Sequence, residues 1–320
     1  MNIVHCPLTI LAIASMKKLN HYFSLIKFAH TVFAMPFALI GFFLGIKALS
    51  DPRNIDQRPS PGWHITVLTP GSSIFKFLLV LLCMVFARSA AMAFNRWLDA
   101  SYDKKNPRTA AREIPAGIIK SSNAFWFVAI SCVAFVICCW FINLLCFYLS
   151  FIALFVILFY SYTKRFTALC HLVLGLGLSL APIGSYIAVT GTFALLPLLF
   201  SVTVLCWVSG FDIIYALQDE EFDRLQQLHS IPAALGKTRA LRISELLHIL
   251  SAAAVIFAGF YGQFGRLYWT GVAVFSSLLI YQHLLVKPTD LSKVNMAFFT
   301  TNGIASIVFG GFVVLDLYMY

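Results

Sequence analysis

Charged residues are scarce in this sequence of 320 residues. Only 11% of them are Asp, Glu, Lys or Arg, against about 25% in soluble globular proteins. Hydrophobic residues make up 60% of the chain and the mean hydropathy is +0.85, so too little polar surface remains to cover a soluble core of this size. These values exclude soluble globular, disordered and nucleic-acid-binding proteins, and they predict a polytopic membrane protein.

Cysteines at the spacing of a metal site or a redox motif are also lacking. None of the eight cysteines belongs to a CxxC pair or to a Cys/His cluster with metal-ligand spacing, which argues against a zinc site or a disulfide framework. Nearly all of them lie inside apolar runs, where we expect them to act as small packing residues.

The first 15 residues lack a basic segment, so they do not resemble a secretory signal peptide. Met16 is followed by two lysines and looks like a natural start, which makes residues 1–15 either an extension or the product of an upstream start. We expect residues 1–20 to be an N-terminal extension that need not be native, and residues 21–320 to form a single transmembrane domain. The proline-containing segment 50–72 is predicted to be a polar external loop.

Uncharged stretches long enough to cross a bilayer, which takes ~20 residues, predict nine transmembrane helices around residues 28–46, 77–99, 121–163 (two helices), 166–211 (two helices), 246–265, 267–286 and 294–315. The two double segments are predicted to turn near Asn143 and at Thr190-Gly191-Thr192. The resulting fold class is an all-α polytopic membrane protein.

The chain has 23 Lys and Arg residues against 13 Asp and Glu residues, which gives a net charge of +10. Most of the basic residues fall on one side of these nine spans. The positive-inside bias predicts that this side is cytoplasmic, together with the N-terminus and the loops after the second, fourth, sixth and eighth spans. We therefore expect an integral protein of the inner (cytoplasmic) membrane. The surplus charge then sets topology, and no nucleic-acid partner is expected.

More than half of the 13 acidic residues lie in two short segments at the cytoplasmic ends of the second and sixth spans. The first has the pattern NxxxDxxxD and the second DxxYxxxDxxxD, with chemistry-bearing residues Asn95, Asp99, Asp103, Asp212, Tyr215, Asp219 and Asp223. A spacing of four places successive carboxylates on one helical face, where like charges destabilise a helix unless a cation lies between them. Carboxylate oxygens are the ligands that Mg²⁺ takes together with water and substrate phosphates.

Basic residues lie in loops on the same side: Arg108 and Arg112 follow the first acidic segment, and Lys164 and Arg165 follow the fourth span. Such side chains bind phosphate oxygens, arginine through its bidentate fork and lysine as a point charge. The combination predicts a site for a diphosphate and Mg²⁺, although charges at helix ends are often only solvated loop.

Arg88 lies inside the second span, about two turns deeper than Asn95. An arginine within a membrane costs roughly 2.5–3.5 kcal/mol on insertion scales, so it requires an anionic partner. Spacing alone leaves two partners equally open, a carboxylate of the acidic segments or a carboxylate of a substrate.

These residues resemble the signatures of the UbiA superfamily of intramembrane prenyltransferases. The first signature is carried by Arg88 to Asp99, Asn106-Pro107-Arg108-Thr109 and Pro115-Ala116-Gly117, and the second by Gly210 to Asp223, His229-Ser230-Ile231-Pro232 and Gly236. Residues 162–165 resemble the family's short basic loop, residues 33–38 also fit, and the resemblance covers about residues 20 to 316.

The resemblance implies nine helices around a central lipid-facing cavity and transfer of a polyprenyl chain from its diphosphate to an aromatic acceptor with Mg²⁺. Carried over by position, Asp99, Asp103, Asp212, Asp219 and Asp223 would bind the metal, with Asn95 beside them. Arg108, Lys164 and Arg165 would contact phosphate oxygens. Tyr215 would lie near the ionising carbon, and Arg88 would hold the carboxylate of the acceptor. Asp99, Asp219 and Tyr215 are the expected catalytic residues.

Two departures from the family's signatures bear on the identity of the acceptor. The first motif begins with Asn95 rather than with Asp. The superfamily tolerates this Asn in its ubiquinone-type members, whose acceptor is 4-hydroxybenzoate. Gln218 and the pair Glu220-Glu221 resemble a branch associated with menaquinone formation, whose acceptor would be 1,4-dihydroxy-6-naphthoate. Both acceptors are aromatic carboxylic acids, so Arg88 does not separate them.

Two other classes compete with an enzyme. A secondary transporter of an anionic solute would also place charge within the membrane, but typically at the midplane with broken helices. A scaffolding protein would leave the clustered acids unexplained. Among enzymes, prenyltransferases of the heme O synthase or chlorophyll synthase type would share these motifs, but their acceptors would not offer a carboxylate to Arg88.

Overall fold

The computed structural model describes residues 21–22, 24–25, 34–50 and 70–319. The predicted extension at residues 1–20 and most of the predicted external loop lie outside these residues. The regular secondary structure of the described part is entirely helical, apart from an isolated β-bridge between Lys287 and Asp290.

The described helices follow in the order α1 (Met35–Ser50), α2 (Pro70–Leu98), α3 (Ala100–Asp103), α4 (Ser121–Ile142), α5 (Leu144–Thr163), α6 (Cys170–Thr190), α7 (Leu195–Ala216), a 3₁₀ turn (Leu217–Asp219), α8 (Glu220–Leu225), α9 (Ile231–Leu235), α10 (Lys237–Tyr261), α11 (Arg266–Leu285), a π-helix (Met296–Thr301) and α12 (Asn302–Met319).

Seven segments of the described residues are long and apolar enough to span a bilayer. They contain α2, α4, α5, α6, α7, α10 and α12. The 16-residue α1 and the 20-residue α11 run beside them, which is consistent with the nine predicted spans. The prediction of an all-α polytopic membrane protein is therefore confirmed, and the chain is an integral membrane protein.

Both predicted turns are present. Asn143 separates α4 from α5, where its side chain accepts a hydrogen bond from the Cys146 backbone N–H (2.7 Å) and so caps α5. The same amide donates to the Ile187 carbonyl (3.0 Å). Gly191 ends α6 with a φ of 70°, a left-handed conformation that glycine adopts without a Cβ penalty.

Helix α7 is the most enclosed of the seven spanning segments, with 67% of its most apolar stretch buried. It packs against α6 and α10. Trp207 lies fully buried among the rings of Phe37, Phe211 and Phe275. The acidic segment at the end of α7 therefore follows the most deeply buried of the spanning segments.

A buried ion pair fixes the loop after α3. The Arg96 guanidinium at the end of α2 contacts the Glu113 carboxylate, which also accepts a hydrogen bond from the Ser24 hydroxyl. Arg96 and Glu113 are 4% and 7% exposed. The pair ties the loop that carries Asn106 and Arg108 to the membrane-spanning helix.

Replacing Glu113 by Ala leaves the Arg96 charge buried and unpaired, which typically costs about 3–5 kcal/mol. We expect the melting temperature of the detergent-solubilised protein to fall markedly. The double variant Arg96→Met/Glu113→Leu serves as the control, because removing both charges from a buried site is much less destabilising. A Glu113→Ala protein that melts with the wild type would contradict the structural role of this pair.

Candidate active site

The predicted site residues meet in one cavity. A space of about 530 Å³ lies between α2, α5, α6, α7 and the π-helix. One end is polar, and the remainder is lined largely by apolar side chains such as Met84, Phe135, Ile157 and Leu178. The cavity is lined by Arg88, Asn95, Asp99, Asp103, Arg108, Lys164, Arg165, Asp212, Tyr215, Asp219 and Asp223.

Asp99 stands at the end of α2. The Asn95 amide, one helical turn earlier, donates to Asp99 Oδ2 (3.1 Å), and Arg165 lies 3.2 Å from Oδ1. Burial raises the pKa of Asp99 to about 6, and the nearby Arg165 charge offsets part of this rise. A neighbouring cation would therefore favour the charged carboxylate.

Asp103 lies one further turn along the chain, at the end of α3, and is buried. Arg112 Nη1 contacts both of its carboxylate oxygens, at 2.9 and 2.8 Å. The first acidic segment thus consists of two carboxylates, each held by a different arginine.

Asp219 lies in the 3₁₀ turn after α7 and is held by the loop of the first segment. The Arg108 guanidinium grips both of its oxygens, and the Asn106 amide donates to Oδ1 (3.2 Å). Burial alone would lower the pKa of Arg108, but the hydrogen bond and charge of Asp219 outweigh it and raise the pKa. Arg108 also donates to the Tyr215 hydroxyl (2.9 Å), so one arginine joins the two acidic segments.

Asp223 is completely buried in α8. Lys164 Nζ lies 2.7 Å from its Oδ1, and the Ser230 hydroxyl donates to Oδ2 (2.9 Å). Burial acts to lower the pKa of Lys164, but Asp223 outweighs it and the net pKa is raised. Lys164 therefore remains protonated beside the cavity.

Asp212 lies within α7, seven residues, or about two helical turns, before Asp219. Its Oδ2 is 2.7 Å from Nδ1 of His171 on α6, and His171 Nε2 accepts from the Ile231 backbone N–H (3.4 Å). His171 lines the cavity and is 3% exposed. The imidazole thus fixes the Asp212 side chain from a neighbouring helix.

Arg88 lies apart from these pairs, deeper in the cavity. Among the residues that the structure describes, no carboxylate lies within ion-pair distance of it. Its Nε is shielded from solvent and has no hydrogen-bond partner. A buried arginine in this state is available to an anion that enters the cavity.

The donor set suits a hard divalent cation. The five aspartates and Asn95 offer oxygen ligands at one end of the cavity, the type that Mg²⁺ prefers. In the described part of the chain, no group of three or more His, Cys, Asp or Glu residues is already gathered tightly enough to hold a metal. The carboxylates instead face basic partners in this structure.

An apolar intramembrane cavity with a carboxylate- and base-rich end would suit an anionic molecule with an apolar tail. The pattern of the UbiA prenyltransferase family matches residues 62–304, about three-quarters of the chain. The chain belongs to this family and is a prenyltransferase, a transferase of alkyl groups.

Two curated relatives share the name 4-hydroxybenzoate octaprenyltransferase. A 4-hydroxybenzoate octaprenyltransferase of Francisella tularensis subsp. mediasiatica is 30% identical over 227 residues, which are 71% of this chain and 79% of that protein. The enzyme of the same name from Tolumonas auensis is 30% identical over 252 residues, covering 78% of this chain and 87% of that protein.

Solved structures share the fold. The apo structure of a UbiA homolog from Aeropyrum pernix K1 has a TM-score of 0.75 at 27% identity, over 90% of this chain and 98% of that one. A UbiA homolog from Archaeoglobus fulgidus bound to GPP and Mg²⁺ has a TM-score of 0.67 at 18% identity, over 93% of this chain and 99% of that one.

Sequence reasoning missed part of the site. His171 and the partner role of Asn106 toward Asp219 were not anticipated, and neither were the aromatic residues Phe298 and Phe299 on the cavity wall. His171 did carry a signal, because a lone histidine in an apolar span requires a specific partner. The two phenylalanines carried none, since aromatic residues are common in every span.

Proposed function

We propose that this prenyltransferase moves a polyprenyl group from a polyprenyl diphosphate to a ring carbon of an aromatic carboxylic acid, as a step in respiratory quinone synthesis. The observation that carries the proposal is the pairing of two sites in one cavity. Base-held carboxylates form one end, and the buried Arg88, without a carboxylate partner among the described residues, lies in the deeper part.

The diphosphate would occupy the polar end. Arg108 and Lys164 would turn from Asp219 and Asp223 to the phosphate oxygens, with Arg165 beside them, since charge-assisted hydrogen bonds to phosphate are strong. The aspartates and Asn95, freed from their bases, would hold Mg²⁺. Bound there, Mg²⁺ supplies Lewis-acid stabilisation of the charge that develops on the leaving diphosphate.

The prenyl chain would lie along the apolar walls. When the allylic carbon–oxygen bond breaks, the electron pair leaves with the diphosphate and an allylic cation remains. Tyr215 and Phe298 present their rings at this place, with centroids 4.2 Å apart. Aromatic faces stabilise a cation, and the apolar walls exclude the water that would quench it.

The acceptor would be oriented by Arg88. A guanidinium fork binds a carboxylate bidentately, which directs the electron-rich ring toward the cation. A ring carbon then supplies the electron pair for the new carbon–carbon bond, and the ring loses a proton. The names of the relatives favour 4-hydroxybenzoate, and 1,4-dihydroxy-6-naphthoate remains the alternative acceptor.

The same proposal includes an orientation. The polar end of the cavity is formed by the loops around Arg108, Lys164 and Asp219, and these loops belong to the lysine- and arginine-rich side of the chain. By the positive-inside bias this side faces the cytoplasm, as expected for an enzyme of the inner membrane. Membership of the family favours this enzyme over a transporter of anionic solutes.

Isolated membranes that contain the protein provide the test. They receive Mg²⁺, a labelled allylic diphosphate, and either 4-hydroxybenzoate or 1,4-dihydroxy-6-naphthoate. We expect a carbon-prenylated acid from one of the two acceptors, identified by mass spectrometry. Membranes that prenylate neither acid, while a known prenyltransferase does so under the same conditions, would refute the proposal.

Removal of the metal gives a second prediction. Excess EDTA is expected to abolish transfer, because the carboxylate oxygens would lose the cation that joins them to the diphosphate. Addition of Mg²⁺ beyond the chelator should restore the activity. Transfer that persists at full rate in EDTA would contradict a divalent-metal requirement.

A further inference from the structure

A π-helix separates the loop after α11 from α12. Residues Met296–Thr301 form this wide turn, and it leads directly into Asn302 at the start of α12. Such turns displace backbone groups from the regular hydrogen-bond ladder, and they occur frequently at functional sites. Buried carbonyl groups that lose their helical partners need others.

Asn302 hydrogen-bonds two carbonyls of the π-helix. It is completely buried, and its Nδ2 donates to the Phe298 carbonyl (2.9 Å) and the Ala297 carbonyl (3.3 Å). Its Oδ1 accepts from Trp207 Nε1 (2.9 Å) on α7 and from Gln282 Nε2 (2.6 Å) on α11. Both donors and both acceptor positions of the amide are therefore used.

This amide joins the π-helix to two packed helices. Trp207 is completely buried in the main core, and so is Gln282 on α11. The carbonyl that Asn302 holds most closely belongs to Phe298. The position of the Phe298 backbone is thus set from the core of the bundle, through a single side chain.

Phe298 in turn lines the cavity. Its ring lies 4.2 Å from that of Tyr215, at 31° between the planes, and 5.2 Å from Phe211. Phe299 meets Tyr215 edge-on at 6.0 Å. The Tyr215 hydroxyl accepts a hydrogen bond from Arg108. Tyr215 therefore connects these aromatic rings, which form the aromatic wall of the cavity, to the arginine at its polar end.

We propose that Asn302 is a positioning residue for prenyl transfer: its amide sets the π-helix so that Phe298 and Phe299 close the aromatic wall over Tyr215, where the allylic cation forms. The inference rests on the proposed function for the reaction. It assigns Asn302 no contact with substrate. Loss of the amide would let the turn relax and move the rings, so that the cation is less stabilised and more exposed to water.

The test compares wild-type protein with Asn302→Ala in kcat, in the KM for the labelled allylic diphosphate, and in the fraction of that substrate recovered as free prenol. We expect kcat to fall about tenfold, in the range that cation–π contacts supply. The KM should stay within about twofold, because the carboxylates and bases keep their places. The prenol fraction should rise several-fold as water captures the cation.

Asn143→Ala is the matched control. Asn143 is also a buried asparagine whose amide bridges helices, but it lies at the α4–α5 turn, remote in sequence from the π-helix. We expect this variant to lose comparable thermal stability while keeping the wild-type prenol fraction. If Asn302→Ala does not accumulate, Gln282→Leu removes one anchor of the Asn302 oxygen and should raise the prenol fraction by a smaller factor.

Parallel losses of stability and kcat in both asparagine variants, with an unchanged prenol fraction, would overturn the inference and leave Asn302 a purely structural residue. A rise in the KM for the diphosphate as the main effect would overturn it as well. If wild-type protein prenylates no aromatic acid, the proposed acceptor fails. The inference is then decided separately by kcat for diphosphate release without acceptor, which should still be about tenfold lower in Asn302→Ala.

Discussion

Replacing Asp219 by Asn is expected to lower kcat for prenyl transfer by about 10²–10³, the range seen when one preorganised electrostatic group is removed from an active site. Asp219 is held by Arg108 and Asn106 from the other acidic segment. The substitution removes a carboxylate from the proposed metal site and the anionic partner of Arg108. The steady-state rate of transfer at saturating Mg²⁺ measures the effect.

Glu221→Gln is the control for this prediction. Glu221 lies two residues further along the same segment and is exposed, so the variant removes the same charge outside the cavity. We expect it to retain activity within about twofold, as for surface substitutions away from special features. Equal losses in Asp219→Asn and Glu221→Gln would show that only the charge of the segment matters, and not the placement of Asp219.

Replacing Arg88 by Ala is expected to raise the KM for the aromatic acid by about 100-fold, since truncating one partner of a buried charge pair costs several kcal/mol. The KM for the allylic diphosphate should change little, because Arg88 lies apart from the base-held carboxylates. Initial rates over a matrix of both substrate concentrations separate the two constants.

Arg88→Lys refines this prediction. Lysine keeps the charge but loses the bidentate fork, so acceptor affinity should fall to a value between those of the wild type and the alanine variant. A variant in which the KM for the diphosphate rises while the KM for the acid is unchanged would assign Arg88 to the other substrate. Such a result would also mean that the aromatic acid binds elsewhere than at Arg88.

The sequence was sufficient to predict the architecture and most of the cavity's polar end. Long uncharged runs require helices in a bilayer, because backbone groups there must bond within their own segment. The four-residue spacing of Asp99 and Asp103, and of Asp219 and Asp223, predicted carboxylates on one helical face. The structure places all four on one cavity. Their roles in binding metal remain predictions.

The individual partners could not be predicted, because they depend on packing between distant segments. Spacing did not indicate that Lys164 would meet Asp223, or that His171 would hold Asp212 from another helix. Spacing also left Arg88 equally open to a protein or a substrate carboxylate. The described residues contain no ion-pair partner for it, which supports the second of these.

The π-helix illustrates a different limit. The predicted span at 294–315 contains the polar stretch Thr300-Thr301-Asn302-Gly303, but such a stretch does not by itself distinguish a π-turn from a regular helix. In the structure, Asn302 hydrogen-bonds carbonyls of the π-helix, while Trp207 and Gln282 donate to Asn302. These three residues lie on α7, α11 and α12, and any two of them are at least 20 positions apart in the sequence. No short stretch of sequence therefore contains all three.

The preference of the enzyme between 4-hydroxybenzoate and its neutral analogue 4-hydroxybenzamide tests the central claim most directly. If one cavity holds the prenyl diphosphate at its carboxylate end and the acceptor acid on Arg88, wild-type protein will favour the acid in kcat/KM by about 100-fold. Arg88→Ala will reduce that ratio to near one. A wild-type enzyme that prenylates both analogues equally well, or an Arg88→Ala variant that keeps the full preference for the acid, would contradict the account.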